Sequence, residues 1–335
     1  MTVLDCFFML GAVFLGWSLG KNNLSNLFGS AIGTRMIHLK MAAFLSFLFV
    51  GVGVFISGYA TTEHVNQLAT VFSFQEAFFV CVSAGLIIYF LSLFGIPASI
   101  TQTSTGALIS LNVFHQLSVD HNLVLKSFLG WVATPFLSGI LAFVLFYLFK
   151  SFLKKYPIKL LYRDITIRVL LIIVGSFCAY SLGANNIASI VGPFISVNKS
   201  MMTLLFLLTI LGVGIGFFSA DKRVISTVSK GMFPLSPMEA FIVVFSSSAT
   251  LFCFSSLAFK NFLVGLSLPS FPLIPVPLSE AIIGSIIAIA LAKGIDGLKL
   301  KIAGGVVCSW GIAPLCAGFL CYACLYFANL FGVLL

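Results

Sequence analysis

Two polar segments of similar sequence lie inside long apolar runs of this chain. They read SLGKNNLSNLFG from Ser18 and SLGANNIASIVGP from Ser181. An amide or hydroxyl group without a partner costs several kcal/mol in hydrocarbon, so these side chains must face one another or a ligand. Flanking glycines allow a helix to unwind there, which frees carbonyl groups for cations and N–H groups for anions.

The same residue types have a simpler interpretation, because small and amide residues also hold transmembrane helices together. A single copy would leave the two interpretations balanced. Paired Gly/Asn interruptions at matching places in two halves of a membrane protein favour a binding site. We therefore predict that Asn22 and Asn185 bind substrate, and that ion coupling involves Asn23, Asn26, Asn186 and Ser189.

A second polar group follows Pro97. Five hydroxyls and one amide lie between Ser99 and Gly106, and Ser99, Thr101 and Gln102 are the predicted substrate-binding residues among them. At the N-terminus of a half-helix, such side chains would join free N–H groups and a positive dipole end in holding a tetrahedral oxyanion. The alternative is an ordinary aqueous loop.

The matching stretch of the second half follows Pro275. It keeps one hydroxyl, Ser279, and has Glu280 where the first half has Gln102. An acid inside a membrane is a candidate for carrying a proton or binding a cation. The alternative for Glu280 is a solvated loop acid that favours a helix N-terminus. Glu76 and Glu239 also open apolar helices, and there we expect capping.

Composition places the chain in a membrane. Of 335 residues, 60% are hydrophobic and 8% charged, and the mean hydropathy is +1.15, whereas soluble domains carry about 25% charged residues. We predict an all-α polytopic membrane protein. The net charge of +9 fits basic cytoplasmic loops rather than nucleic acid binding. The eight cysteines lie in apolar runs, and neither a metal site nor a cofactor is predicted.

The chain is an internal duplication. The two polar segments are 163 residues apart (Ser18 to Ser181), QEAF at Gln75 returns as MEAF at Met238, and Trp131-x-x-x-Pro135 returns as Trp310-x-x-x-Pro314. We predict an N-terminal transmembrane repeat (1–149), a basic cytoplasmic linker (150–165) and a C-terminal repeat (166–335).

The charges of equivalent loops indicate that the second repeat is inverted. Residues 60–70 contain no Lys or Arg, whereas the equivalent loop at 221–230 contains three. With an odd number of crossings in each half, starting outside, fourteen Lys/Arg fall inside and three outside. Both termini are then outside, and inverted-topology repeats are typical of transporters.

The predicted membrane elements repeat in the same order in both halves. We expect broken helices at 2–34 (near Gly20) and 166–197 (near Gly183), and half-helices or re-entrant hairpins at 95–114 and 268–292. The remaining spans are expected at 37–59, 71–94, 127–149, 201–219, 236–258 and 303–331.

The sequences of these segments resemble those of the inorganic phosphate transporter (PiT) family, which includes sulfate permeases. The two Gly-x-Asn-Asn copies resemble that family's Gly-(Ala/Ser)-Asn-Asp-x-x-Asn-x-x-Gly, and PASITQ from Pro97 resembles its Pro-Val-Ser-Thr-Thr-His. The basic loop at 222–238 and the two Trp-x-x-x-Pro motifs also match, in the same order along nearly the whole chain.

The resemblance implies a cation-coupled phosphate symporter built from inverted repeats with paired hairpins, and it implies a homodimer. Asn22, Asn26, Asn185, Ser99, Thr101 and Ser279 match the family's polar positions. The chain departs from the family's sequence elsewhere. Asn23 and Asn186 replace the motif aspartates, and Ser189 replaces the final asparagine of the second motif. Gln102 and Glu280 replace the hairpin histidine. Fewer carboxylates weaken a sodium site, since hard cations are held largely by charge.

The leading prediction is uptake of inorganic phosphate by a non-enzymatic secondary transporter, coupled to a proton or sodium gradient, in a bacterial inner (plasma) membrane. Proton-coupled sulfate uptake is the alternative of the same class, because sulfate has no proton to donate at neutral pH. A non-transporting membrane scaffold or receptor is the alternative of a different class.

Overall fold

A computed structural model describes residues 3–155 and 160–332, and these residues form helices and irregular segments without strands. The helices in chain order are α1 (Val3–Phe8), α2 (Leu10–Gly33), α3 (Leu39–Ser57), α4 (Thr62–Leu68), α5 (Phe74–Leu93), α6 (Ile100–Phe114), α7 (His121–Lys155), α8 (Leu160–Asn186), α9 (Ala188–Val197), α10 (Met202–Phe218), α11 (Lys222–Ser226), α12 (Pro237–Ser255), α13 (Leu257–Gly265), α14 (Leu278–Ala292) and α15 (Leu300–Leu330).

Eight helical stretches within the described ranges are long and apolar enough to cross a membrane, four in each half. This confirms the predicted all-helical membrane fold. Each half also holds one shorter helix of 15 residues, α6 or α14, which rises ~22 Å and is shorter than the ~30 Å hydrocarbon core. Irregular chain precedes each of them, at 96–99 and 268–277. The two predicted hairpin regions thus each contain one short helix after an extended segment.

The two halves pack against each other reciprocally. Helix α2 of the first half packs on α10 of the second, and α8 of the second packs on α3 of the first. In the same way α6 packs on α15, and α14 packs on α7. Each contact therefore has a counterpart with the halves exchanged, as a twofold relation between two copies of one unit produces.

Glycines allow these reciprocal contacts to be close. A Cβ atom at Gly20 would collide with the carbonyl oxygen of Val213 on α10, and one at Gly183 would collide with the carbonyl oxygen of Val50 on α3. The helix backbones meet there with no room for a side chain. The short helices show the same pattern, with Gly106 against Pro314 and Gly284 against Pro135.

The predicted break near Gly20 is wrong, and the break predicted near Gly183 lies at Ile187 instead. Helix α2 runs through Gly20 without interruption, whereas its counterpart is interrupted at Ile187, four residues after Gly183. The physical reason is that Gly20 is needed for the close approach of α10 rather than for unwinding. The predicted linker is entered by helix from both sides, as α7 ends at Lys155 and α8 begins at Leu160. Its residues 156–159 lie outside the described ranges.

We expect Gly20→Ala and Gly183→Ala each to lower the free energy of unfolding by about 1–3 kcal/mol, because the added methyl group meets backbone that cannot move away cheaply. Gly304→Ala is the matched control, since Gly304 lies within α15 and faces open space. Denaturant unfolding of the purified protein in detergent measures the difference. Equal stability of the three variants would contradict the packing role.

Candidate functional site

Asn22, on α2, holds the irregular segment that precedes α6. Its Nδ2 group donates to the hydroxyl of Ser92 (2.7 Å) and to the carbonyl of Ile96 (3.2 Å), and its Oδ1 atom accepts from the N–H of Ala98 (2.9 Å). The side chain is fully buried. Because hydrocarbon offers the backbone no partner, this amide supplies the hydrogen bonds that a neighbouring strand would otherwise give.

Asn185, on α8, holds the segment before α14 in the same manner. Its Nδ2 group donates to the carbonyl of Ile274 (3.0 Å), and its Oδ1 atom accepts from the N–H of Val276 (2.7 Å). The neighbouring Asn186 donates to the carbonyl of Val276 (3.1 Å). Both polar atoms of Asn22 and of Asn185 are thus engaged with the protein, and direct substrate contact by these two residues stays a prediction.

The two short helices begin differently. The hydroxyl of Ser99 caps α6 by accepting from the N–H of Gln102 (3.3 Å) and also pairs with the hydroxyl of Thr101 (2.9 Å). Helix α14 begins after Pro277, which provides no side-chain cap. The first N–H groups of a helix have no partner within the helix, so those of α14 remain available to a ligand.

The N-termini of α6 and α14 meet at Gln102 and Glu280. Each is the third residue of its short helix, and the Gln102 Nε2 group donates to Glu280 Oε1 at 2.5 Å. Only 3% of Gln102 and 2% of Glu280 is exposed. The contact joins equivalent positions of the two halves, so it lies where the twofold relation brings both helix ends together.

The other residues of the two motifs surround this contact. Asn23 donates to the carbonyl of Leu19 (3.2 Å) and accepts from Asn26 Nδ2 (2.8 Å), so this chain of hydrogen bonds fixes the orientation of both amides. Ser189 is buried near the start of α9. Helix α2 packs on α14, and α9 packs on α6, so the motif of each half contacts the short helix of the other.

Several buried polar atoms of these elements have no hydrogen-bond partner within the described residues. They are Asn26 Oδ1, Gln102 Oε1, Ser104 Oγ, Asn186 Oδ1, Ser279 Oγ and Glu280 Oε2. Buried polar groups in folded proteins are almost always paired, so unpaired groups on four neighbouring helices indicate a place for a ligand or ion.

Two contacts of glutamate side chains lie at the opposite ends of the short helices, and sequence reasoning missed them. Glu76 accepts from His115 (2.8 Å), which follows α6, and Glu239 pairs with Lys293 (3.0 Å), which follows α14. The predicted capping roles are confirmed, since Glu76 and Glu239 each bind a backbone N–H just before their helices. The signal for the pairs was present, because His115 and Lys293 occupy equivalent positions of the duplication.

Lys21 is the one basic residue of the two motifs, and its ammonium group lies against two aromatic rings. The ammonium group of Lys21 lies 5.1 Å from the Trp17 ring centre and 5.3 Å from that of Tyr89. Aromatic faces stabilise a cation in this arrangement. The site is therefore formed of amides, hydroxyls, helix N-termini and one carboxyl group.

Comparison with known proteins assigns the chain to a family. Residues 19–260 match the family model described as the phosphate transporter family. The chain belongs to this family.

Individual relatives agree with this assignment. A provisionally named phosphate permease of Methanocaldococcus jannaschii is 24% identical over 305 residues, which cover 91% of each chain. The sulfate permease CysP of Bacillus subtilis is 26% identical, over 91% of this chain and 83% of its own. A solved structure, "The sodium-dependent phosphate transporter", has a TM-score of 0.79 with 18% identity over 98% of this chain and 100% of its own, and shows the same fold.

The two contacts of the Asn185 amide with the segment before α14 give a prediction. Asn185→Asp keeps the acceptor for the N–H of Val276 but places a carboxylate oxygen against the carbonyl of Ile274. We expect the free energy of unfolding to fall by about 1–3 kcal/mol, the cost of an unpaired buried polar group. Hydrogen exchange at the amides of Ile274 and Val276, together with unfolding in detergent, measures the change.

Asn122→Asp is the control for that variant, because Asn122 is exposed near the start of α7. If Asn185→Asp were as stable and as protected as the control, Asn185 would not be what holds the segment before α14.

Proposed function

We propose that the protein is a secondary active symporter that imports inorganic phosphate and holds it between the N-termini of α6 and α14. The observation that carries the proposal is the meeting of these two buried helix ends at Gln102 and Glu280, beside unpaired hydroxyl and amide groups. Backbone N–H groups and the positive end of a helix dipole are well suited to an oxyanion.

Neutral donors would bind the anion. Ser279 Oγ is buried and unpaired, and the uncapped start of α14 adds backbone N–H groups. Ser99 and Thr101 form the corresponding hydroxyl pair on α6. Hydrogen bonds to a charged group are about twice as strong as neutral ones, so such a set can replace a basic side chain.

Coupling of uptake to a proton gradient is assigned to Glu280, and a sodium gradient is the other driving force consistent with the family. Glu280 is the carboxyl group within the site, and its Oε2 atom is unpaired. Asn23 and Asn186 offer neutral oxygens where the resembling family has carboxylates, which weakens a sodium site. This difference supports the proton.

Sulfate is the second candidate substrate, and two observations favour it. A sulfate permease is among the relatives, and the motif carries amides in place of carboxylates. Sulfate brings no proton to donate, so it needs fewer acceptors than phosphate. The unpaired acceptors Asn26 Oδ1 and Asn186 Oδ1 support phosphate instead, because its hydroxyl group can donate to them.

The proposal includes an inverted arrangement of the two repeats in the bacterial inner membrane, with both termini outside, and a homodimer as in the resembling family. The opposite Lys/Arg content of equivalent loops supports the inversion. The reciprocal packing of the halves supports a twofold relation between them.

Uptake of radiolabelled anions into proteoliposomes tests the proposal. We expect phosphate to accumulate under an imposed proton or sodium gradient and to leak out when the gradient is collapsed. Ser279→Ala should raise the KM for phosphate about tenfold or more, since a hydrogen bond to a charged group contributes about 1.5–3 kcal/mol. Ser200→Ala, on an exposed hydroxyl, is the matched control.

Two results would contradict this function. Sulfate uptake that excess phosphate does not inhibit would replace phosphate by sulfate as the substrate. Absence of uptake of either anion under every gradient, with correctly folded protein in the vesicles, would favour the membrane scaffold or receptor.

A further inference from the structure

Two helix N-termini that face each other are electrostatically unfavourable. Each carries about half a positive charge, and burial strengthens their repulsion. Helices α6 and α14 nevertheless meet there, through Gln102 and Glu280. A negative charge between them removes the repulsion, and the Glu280 carboxylate is placed where it supplies that charge.

We propose that the Glu280 carboxylate is a built-in anion that occupies the substrate's place between α6 and α14 until a proton neutralises it. This inference rests on the proposed function and adds an order of events to it. A buried site does not hold two anions side by side without a large cost, so phosphate and ionised Glu280 exclude each other. Protonation of Glu280 removes the competitor and leaves the helix ends to the substrate.

The contacts of Glu280 fit this role. One carboxyl oxygen is held by Gln102, while the other is buried and unpaired, so the group is oriented but not fully satisfied. The hydroxyl of the adjacent Ser279 is also unpaired. Glu239 closes α12 by accepting from the N–H of Ser236, the residue before that helix. The residue at the same place before α14 is Pro277, which has no N–H, so Glu280 does not close its helix in this way.

No charged or imidazole side chain described on the neighbouring elements forms an ion pair with Glu280. Helix α14 packs on α2, α7 and α12, and meets α6, which itself packs on α4, α5, α9 and α15. The other charged or imidazole groups described on these helices or within two residues of their ends are Lys21, Arg35, Glu63, His64, Glu76, His115, Asp120, His121, Lys126, Lys150, Lys154, Lys155, Lys199, Glu239, Lys293, Lys299 and Lys301. Among them, Glu76 contacts His115 and Glu239 contacts Lys293, at the far ends of the short helices.

His64, which contacts Ser127 of α7, does not titrate between pH 5.5 and pH 8. Burial, with a smaller effect of Lys126, lowers the pKa of His64 to about 4, so its ring is neutral above pH 5. A change in anion affinity between pH 5.5 and pH 8 therefore does not arise from this histidine.

The consequence is an obligatory order of binding. The proton binds first, the anion second, and release of both restores the carboxylate between the helix ends. A transporter that works in this order cannot carry the anion without the proton, which is what symport requires.

Phosphate binding to the purified full-length protein, measured by calorimetry between pH 5.5 and pH 8, tests the inference. The wild type should bind about tenfold or more tightly at pH 5.5, within the usual range of coupling between two ligands. Glu280→Gln should bind with the tight affinity at both pH values, apart from the change due to phosphate's own ionisation. In vesicles it should exchange phosphate but not accumulate it. Glu63→Gln, on an exposed glutamate, should behave as the wild type.

A swap across the twofold relation is the sharper variant. Gln102→Glu combined with Glu280→Gln keeps an amide–carboxyl pair at the same two positions but moves the charge to α6. We expect it to restore the pH dependence that Glu280→Gln loses, and a thermal unfolding scan verifies that it folds.

An equal pH dependence of binding in the wild type and in Glu280→Gln would overturn the inference. That result is distinct from failure of the proposed function, because phosphate uptake in vesicles would then persist. Absence of uptake, by contrast, would remove the proposed function itself.

Discussion

The structure depends on the need to pair backbone groups in a medium that offers no water. The segments before α6 and α14 are extended, and extended chain in hydrocarbon must find its hydrogen bonds within the protein. Asn22 and Asn185 supply them with side-chain amides that mimic a neighbouring strand. Because these contacts fix where each short helix begins, they also fix where the two helix ends meet.

The two halves share a plan but differ where the short helices α6 and α14 begin. Ser99 caps α6, whereas Pro277 leaves α14 uncapped, and Gln102 is neutral where Glu280 can ionise. A perfectly symmetric site would place two amides or two carboxyl groups at the contact. One neutral donor and one titratable acceptor instead make a pair that can hold a single proton, which is the arrangement that the proposed proton coupling needs.

Much of the fold could be predicted from the sequence because it follows from composition and repetition. The duplication, the membrane spans, the positions of the short helices and the capping glutamates all leave local patterns. The continuity of α2 through Gly20 does not, because a glycine suits both a break and a close helix contact. The choice depends on Val213, which is nearly two hundred residues away.

The sequence indicates which polar residues are buried, but it does not identify their partners. An asparagine in an apolar run must be paired, yet its sequence does not say whether the partner is a ligand or the backbone, and Asn22 and Asn185 pair with the backbone. The contact between Gln102 and Glu280 required the packing of one half on the other. It can be anticipated only by aligning the two repeats and assuming that equivalent helix ends meet.

The most direct test of the central claim is the position of a tetrahedral oxyanion in crystals of the protein grown at acidic pH. Arsenate is the suitable probe, because it mimics phosphate and its arsenic atom scatters anomalously. We expect an anomalous peak between the N-termini of α6 and α14, within hydrogen-bond reach of Ser279. A peak elsewhere in the protein, with these helix ends still joined through Gln102 and Glu280, would contradict it.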